Sequence, residues 1–139
     1  MKRTVCRILA AVALVLIGLV PAYSQKTSAT VNIPFAFTVD DVHMPAGEYL
    51  ISAPSEKVVS IQRVGGSEIE TTIINGNGPI RSNDGPKLVF HRYGSEYFVA
   101  AAYLPNQDHA HEFVASAAEI QVARNTGQQT YELALNVKK

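Results

Sequence analysis

Residues 87–103, KLVFHRYGSEYFVAAAY, decide the fold. Lys87–Tyr93 and Glu96–Tyr103 are rich in aromatic and β-branched side chains, and only Gly94-Ser95 separates them. Two such runs joined by a two-residue, glycine-first connection predict a β-hairpin with a type II′ turn. Five of the ten aromatic residues that follow residue 24 lie here (Phe90, Tyr93, Tyr97, Phe98, Tyr103), so the hairpin should anchor the core. With Leu88 and Phe90 facing that core, His91 faces outward together with Val89 and Tyr93 and reads as an ordinary surface or interface histidine. Arg92 shares the Leu88–Phe90 face, so its guanidinium must reach the rim or pair with a carboxylate, for which Glu48 and Glu119 are the candidates.

Outward from the hairpin the same period continues. Val31, Ile33, Phe35, Phe37 and Val39 are apolar at every second position, a strand with one core face. Pro34 cannot donate to a ladder, which places that strand at an edge or beside a bulge. Asp40-Asp41 and Pro45-Ala46-Gly47 are turn chemistry, and Glu48–Ala53 follows with Tyr49 and Ile51 on one face. Lys57–Val64 and Glu68–Asn75 flank Gly65-Gly66-Ser67 as a second hairpin. Asn75–Pro79 and Ser82–Pro86 break the pattern and bound an expected mobile loop over 75–86. Near the end, Ser116-Ala117-Ala118-Glu119 fits a capping box, in which the serine accepts the glutamate amide and the glutamate side chain reaches back. It predicts a short helix over 117–125 with Gly127 as its C′ residue. The alternative is a hairpin turning at Asn125–Gln128. Tyr131, Leu133, Leu135 and Val137 alternate again. About seven strands and one short late helix predict a mainly β fold, a small antiparallel sandwich or partly open barrel.

The amino-terminal segment has a different character. Residues 8–20 hold twelve apolar residues of thirteen, directly behind Lys2, Arg3 and Arg7, and Ala22-Tyr23-Ser24 supplies small residues at the end. This is the layout of a secretory signal peptide cleaved between Ser24 and Gln25. Thirteen helical residues rise only about 20 Å, short of a bilayer core of roughly 30 Å. Residues 25–139 are then a single exported domain, periplasmic or extracellular, with no membrane association after cleavage. Cys6 precedes the apolar stretch, so no lipoprotein cysteine follows it, and the mature chain has neither disulfide nor thiolate. The whole chain carries 12 basic and 12 acidic residues; without residues 1–24, nine basic and twelve acidic ones remain, a net charge of −3. Such a surface excludes a polybasic nucleic-acid binder.

Three spaced motifs, Val31-Asn-Ile-Pro-Phe-Ala-Phe-Thr-Val39, Pro45-Ala-Gly-Glu-Tyr49 and Lys87-Leu-Val-Phe-His-Arg-Tyr-Gly94 with Tyr97-Phe98, resemble a family of small, uncharacterised exported bacterial β-rich proteins. The Ser116…Glu119…Ala123-Arg124 segment is similar to that family's carboxy-terminal part. The resemblance spans most of residues 29–137. It implies an exported, single-domain β protein and carries over no catalytic or binding residue.

Chemistry is sparse. The glycine stretches are turns without the strand-to-helix setting that cradles phosphate, and Gly94-Ser95 lacks the spacing of a nucleophile elbow. His43 lies in a turn. The one local constellation is Asp108-His109-Ala110-His111-Glu112. Imidazoles two apart project to one side of an extended segment with carboxylates beside them, a half-site for Zn²⁺, Cu²⁺ or Ni²⁺. The competing reading is a solvated polar loop, and since a catalytic zinc wants three protein ligands, the expectation is no metal and no cofactor. The sequence therefore points to a non-enzymatic binding or structural module with an unknown envelope or extracellular partner. The alternatives are a carrier of a small apolar ligand in a cavity lined by Phe35, Phe37, Phe90 and Phe98, and a weak metal binder or enzyme at residues 108–112.

Overall fold

A computed structural model of the chain describes residues 27–67, 69–73, 76–79 and 85–137. The expected signal segment 1–24 lies outside them. The described chain is mainly β, two largely antiparallel sheets and one short helix, as the alternating patterns predict. Seven strands are five residues or longer: β1 (Ser28–Ile33), β4 (Gly47–Ser55), β5 (Val58–Arg63), β6 (Ile69–Ile73), β8 (Lys87–Tyr93), β9 (Glu96–Tyr103) and β11 (Gln128–Ala134). Four short ones supplement them: β2 (Phe37–Val39), β3 (Val42–Met44), β7 (Gly76–Pro79) and β10 (His109–Glu112). The first sheet has the order β1-β4-β5-β6. The second runs β11-β8-β9-β10-β7, with the β2–β3 hairpin joined to β9.

The apolar alternation over 31–39 is one period but two strands. β1 pairs with β4 in the first sheet, whereas β2 lies parallel to β9 in the second, meeting it at Thr38–Phe98. The chain changes sheet at Pro34–Ala36, where a missing N–H costs the ladder nothing. Phe35, at this corner, stacks on Tyr97 at 3.8 Å between ring centroids and meets the edges of Phe90 and Tyr131.

Between the sheets, Val31, Ile33, Tyr49, Ile51, Val59 and Ile61 of the first face Phe37, Val39, Leu88, Phe90, Val99 and Ala102 of the second. Each fully buried side chain of this size contributes roughly 1.5–3 kcal/mol. The Tyr49 hydroxyl, inside this layer, donates to the Pro45 carbonyl at 2.5 Å. Phe37 meets Phe90 edge-on at 5.7 Å, and Phe98 lies on the opposite face of its sheet, against Tyr93. The four phenylalanines therefore line no common cavity. β1 is tied to the chain beyond β11 by reciprocal bonds between Thr30 and Asn136, 2.9 and 2.7 Å long, so the sandwich is bridged along one edge without closing into a barrel.

The β8–β9 hairpin forms as predicted, with Gly94 at φ 63° in its turn. A shift in register between Val89 and Phe90 sets Ala100 as an extra residue on β9. Two expectations need correction. Residues 75–86 do not form one loop, because Gly76–Pro79 pairs in full register with His109–Glu112. A strand of Gly, Asn and Pro carries no side-chain period, yet its backbone pairs like any other. The late helix α1 (Ala117–Ala123) exists, but it ends on Arg124 in a right-handed conformation, and Gly127 precedes β11 rather than capping the helix.

Candidate functional site

The outer face of the second sheet holds the side chains that chemistry could use. Register sets them in rows. Thr130, His91 and Phe98 are opposite one another on β11, β8 and β9, and in the next row Glu132, Val89, Ala101 and Glu112 follow across β11, β8, β9 and β10. α1 covers one end of this face. Ser116 accepts the Glu119 amide at 3.2 Å, which is the serine half of the capping box. The glutamate half is diverted: Glu119 Oε1 lies 2.7 Å from His91 Nδ1 and 3.1 Å from the Tyr93 hydroxyl, which donates to it. The same hydroxyl also lies 3.2 Å from Gln128 Oε1, a second acceptor for its single proton. Burial and the adjacent Glu119 charge and hydrogen bond push the Tyr93 hydroxyl above the usual tyrosine range.

Glu119, 4% exposed, is the buried acid of this site. The outward face of β8 is thus partly covered: Val89 and Tyr93 are buried and His91 half-buried. Neither Arg92 nor Glu48 joins it. Arg92 instead donates Nε to the Gly94 carbonyl at 2.8 Å and lies over the Tyr97 ring at 5.5 Å, while Glu48 is exposed on β4 and His43 exposed on β3.

Beyond the helix the face opens into a groove of about 420 Å³, lined by Val89, His91, Ala100, Ala101, Glu112 and Glu132 among others. Alanines and valine make the floor. The Glu112 carboxylate rests against Gly78 of β7, where a Cβ would collide with it. Glu132 holds Lys87 at 3.1 Å, and Lys87 in turn lies over the Tyr103 ring at 4.9 Å. His91 is common to both regions, with Nδ1 fixed by Glu119 and the ring bordering the groove.

Asp108-His109-Ala110-His111-Glu112 divides between two faces. Glu112 belongs to the groove. His109 and His111 point the other way, toward the inter-sheet side, since His111 pairs with the core residue Ala102. The segment is therefore an inner strand rather than a solvated loop. His111 is fully buried, and its Nε2 contacts Gln107 Oε1. His109 Nδ1 is 2.9 Å from Asp108 Oδ1. That bond, then the Asp108 backbone and the His109 charge, hold the exposed Asp108 carboxyl below the usual carboxylate range. Burial, then the neighbouring His109, hold His111 below the usual imidazole range, with the nearby Glu56 backbone acting weakly the other way. Among the described residues no group of three or more His, Cys, Asp and Glu converges.

Sequence reasoning missed the Glu119–His91–Tyr93 cluster. The available signal was a histidine and a tyrosine at alternate positions on a strand face that also carries Val89, together with a helix whose apolar Ile120 is turned to solvent. Among the described residues no helix is long and apolar enough to cross a membrane. Comparisons with protein-family models, with curated proteins and with solved structures gave no match to the chain.

Proposed function

We propose that the protein is an exported binding module and that the groove on the outer face of the second sheet takes its ligand, a small molecule with a cationic end and a short apolar body. The observation that carries this reading is the pairing of an alanine and valine floor with two carboxylates, Glu112 and Glu132, one on either side. The volume is within the range of small-ligand sites. Among the described residues Lys87 pairs with Glu132, so an incoming ammonium meets a carboxylate at Glu112, and His91 offers a hydrogen-bonding edge held in place by Glu119. Export rests on the basic start, the thirteen-residue apolar stretch and Ala22-Tyr23-Ser24, and on the resemblance to exported β-rich proteins. The apolar-carrier alternative has less support, because the phenylalanine rings it needs around a cavity pack on one another.

The test uses hexylamine, hexanol and hexanoate as probes, followed by amide chemical shifts. Hexylamine should shift Val89, Ala100 and Ala101, with hexanol weaker and hexanoate weakest. Glu112→Gln and Glu132→Gln should each weaken hexylamine severalfold, and added salt should do the same. Equal binding of all three probes, or shifts confined to other regions, refutes the reading.

A further inference from the structure

We infer that His109 and His111 form the protein half of a site for one divalent late transition ion, with Cu²⁺ preferred over Ni²⁺ and Zn²⁺. The central observation concerns two atoms. His109 Nε2 and His111 Nδ1 are both buried, and neither makes a well-formed hydrogen bond among the described residues, although the Glu56 backbone lies near the His111 ring. Burying a polar nitrogen without a partner costs on the order of 1–3 kcal/mol, and this strand carries two of them two residues apart. Unsatisfied buried groups of this kind are uncommon in native proteins and call for an explanation such as a bound ion.

The opposite nitrogen of each ring is already engaged. His109 Nδ1 donates to the Asp108 carboxylate, and His111 Nε2 donates to the Gln107 side-chain oxygen. Those acceptors fix the tautomers, so both orphaned nitrogens carry lone pairs rather than protons. A carboxylate or amide oxygen behind an imidazole is the arrangement that orients a metal-ligating histidine and raises its basicity. The ring centroids are 4.9 Å apart with the planes at 75°, near enough for one ion to reach a nitrogen of each ring at ordinary metal–nitrogen distances of about 2.0–2.1 Å.

Both ligands come from β10, which is paired on both sides, by β9 and by β7. The donors are thus presented by a strand held in register rather than by a loop. Imidazole nitrogens suit copper, nickel and zinc, and intrinsic affinity places Cu²⁺ first among them. With two protein ligands, the remaining positions fall to water or a small anion. The coordination sphere that the protein supplies is incomplete, unlike that of a closed structural zinc site.

The experiment is calorimetric titration of the untagged protein with Cu²⁺, Ni²⁺ and Zn²⁺ separately in a non-coordinating buffer. The expected result is one ion per chain, with a Kd on the order of micromolar for Cu²⁺ and weaker for the other two. His109→Ala should weaken Cu²⁺ by at least tenfold. Asp108→Asn, which removes a positioning residue and no ligand, should weaken it by a smaller factor. His111 is buried enough that its replacement can disturb folding, so a second measurement uses the unaltered protein. On Zn²⁺ addition, the ring ¹⁵N signals of His109 Nε2 and His111 Nδ1 should move, while His109 Nδ1 and His111 Nε2 stay in place. Millimolar or non-stoichiometric binding, wild-type affinity in His109→Ala, or movement of the other two ring nitrogens overturns the proposal.

Discussion

Glu119→Ala is the substitution that most directly probes how α1 is held to the sheet. A helix of seven residues is too short to persist by its own hydrogen bonds. Its apolar side chains do not secure it either, since Ile120 is 47% exposed and Glu119 is its buried residue. The attachment therefore runs through the Glu119 carboxylate to His91 and Tyr93. Hydrogen bonds to a charged group contribute about 1.5–3 kcal/mol each. The His91 bond falls at the low end, because the His91 side chain is 32% exposed. The alanine variant should lose about 3 kcal/mol in urea unfolding followed by circular dichroism, and Glu119→Gln, which keeps an acceptor, about half of that. A cycle with His91→Ala should give a coupling of about 1–2 kcal/mol. Hydrogen exchange supplies the sharper readout. In Glu119→Ala, amides of 117–123 should lose protection selectively, while Leu88–Phe90 exchange at the rate set by the new global stability. A cost below about 0.5 kcal/mol, or protection retained across the helix, would refute the idea that this carboxylate is the anchor.

Three further outcomes are expected. The Tyr93 hydroxyl titrates above its usual 10.0 in the folded chain, so between pH 10 and the folded value the unfolded state releases a proton that the native state keeps. Its contribution is intact below pH 10 and declines above it by at most about 1.4 kcal/mol per pH unit; the stability gap between the natural protein and Tyr93→Phe should shrink from pH 9 to pH 11, and a constant gap contradicts the assignment. Gly78→Ala forces the Glu112 carboxylate aside, yet the obstructed group is the end of a flexible chain, so stability should change by less than about 1 kcal/mol while hexylamine affinity drops; unchanged affinity would detach Glu112 from the groove. Intact mass of protein recovered from its own host should correspond to a chain starting at Gln25, with a full-length, membrane-extracted species as the contrary result.

How much of this was legible depends on how local each feature is. The 87–103 hairpin is encoded in consecutive residues, with a period-2 pattern on both sides of a glycine that adopts φ 63°, and it could be read directly. The same holds for Ser116 as a cap, which needs only its own helix. β7 left no trace, since Gly76-Asn77-Gly78-Pro79 has no side-chain alternation and reads as a turn until β10 supplies a partner. Glu119 was visible as a capping-box member, but its actual partners are 26 and 28 residues away, and helix periodicity does not say which strand a helix will meet. For His109 and His111 the common side was predictable from spacing. The burial of His111 was not, because it arises from β9 and β7 on either side.

The Thr30–Asn136 bridge has a consequence for the order of folding. Its two residues are 106 positions apart, so the link between the edge of one sheet and the far end of the other is among the most non-local contacts in the chain. The β8–β9 and β4–β5 hairpins close over a few residues and can form as soon as those residues are available, whereas long-range closure pays its loop entropy before any contact repays it. β1, the first of these strands along the chain, can pair with β4 early, yet its other edge must wait for Asn136. Until then that edge presents unpaired amides and carbonyls that another chain could occupy. Made residue by residue on a ribosome, the domain keeps this seam open until Asn136, 106 positions after Thr30, has been added.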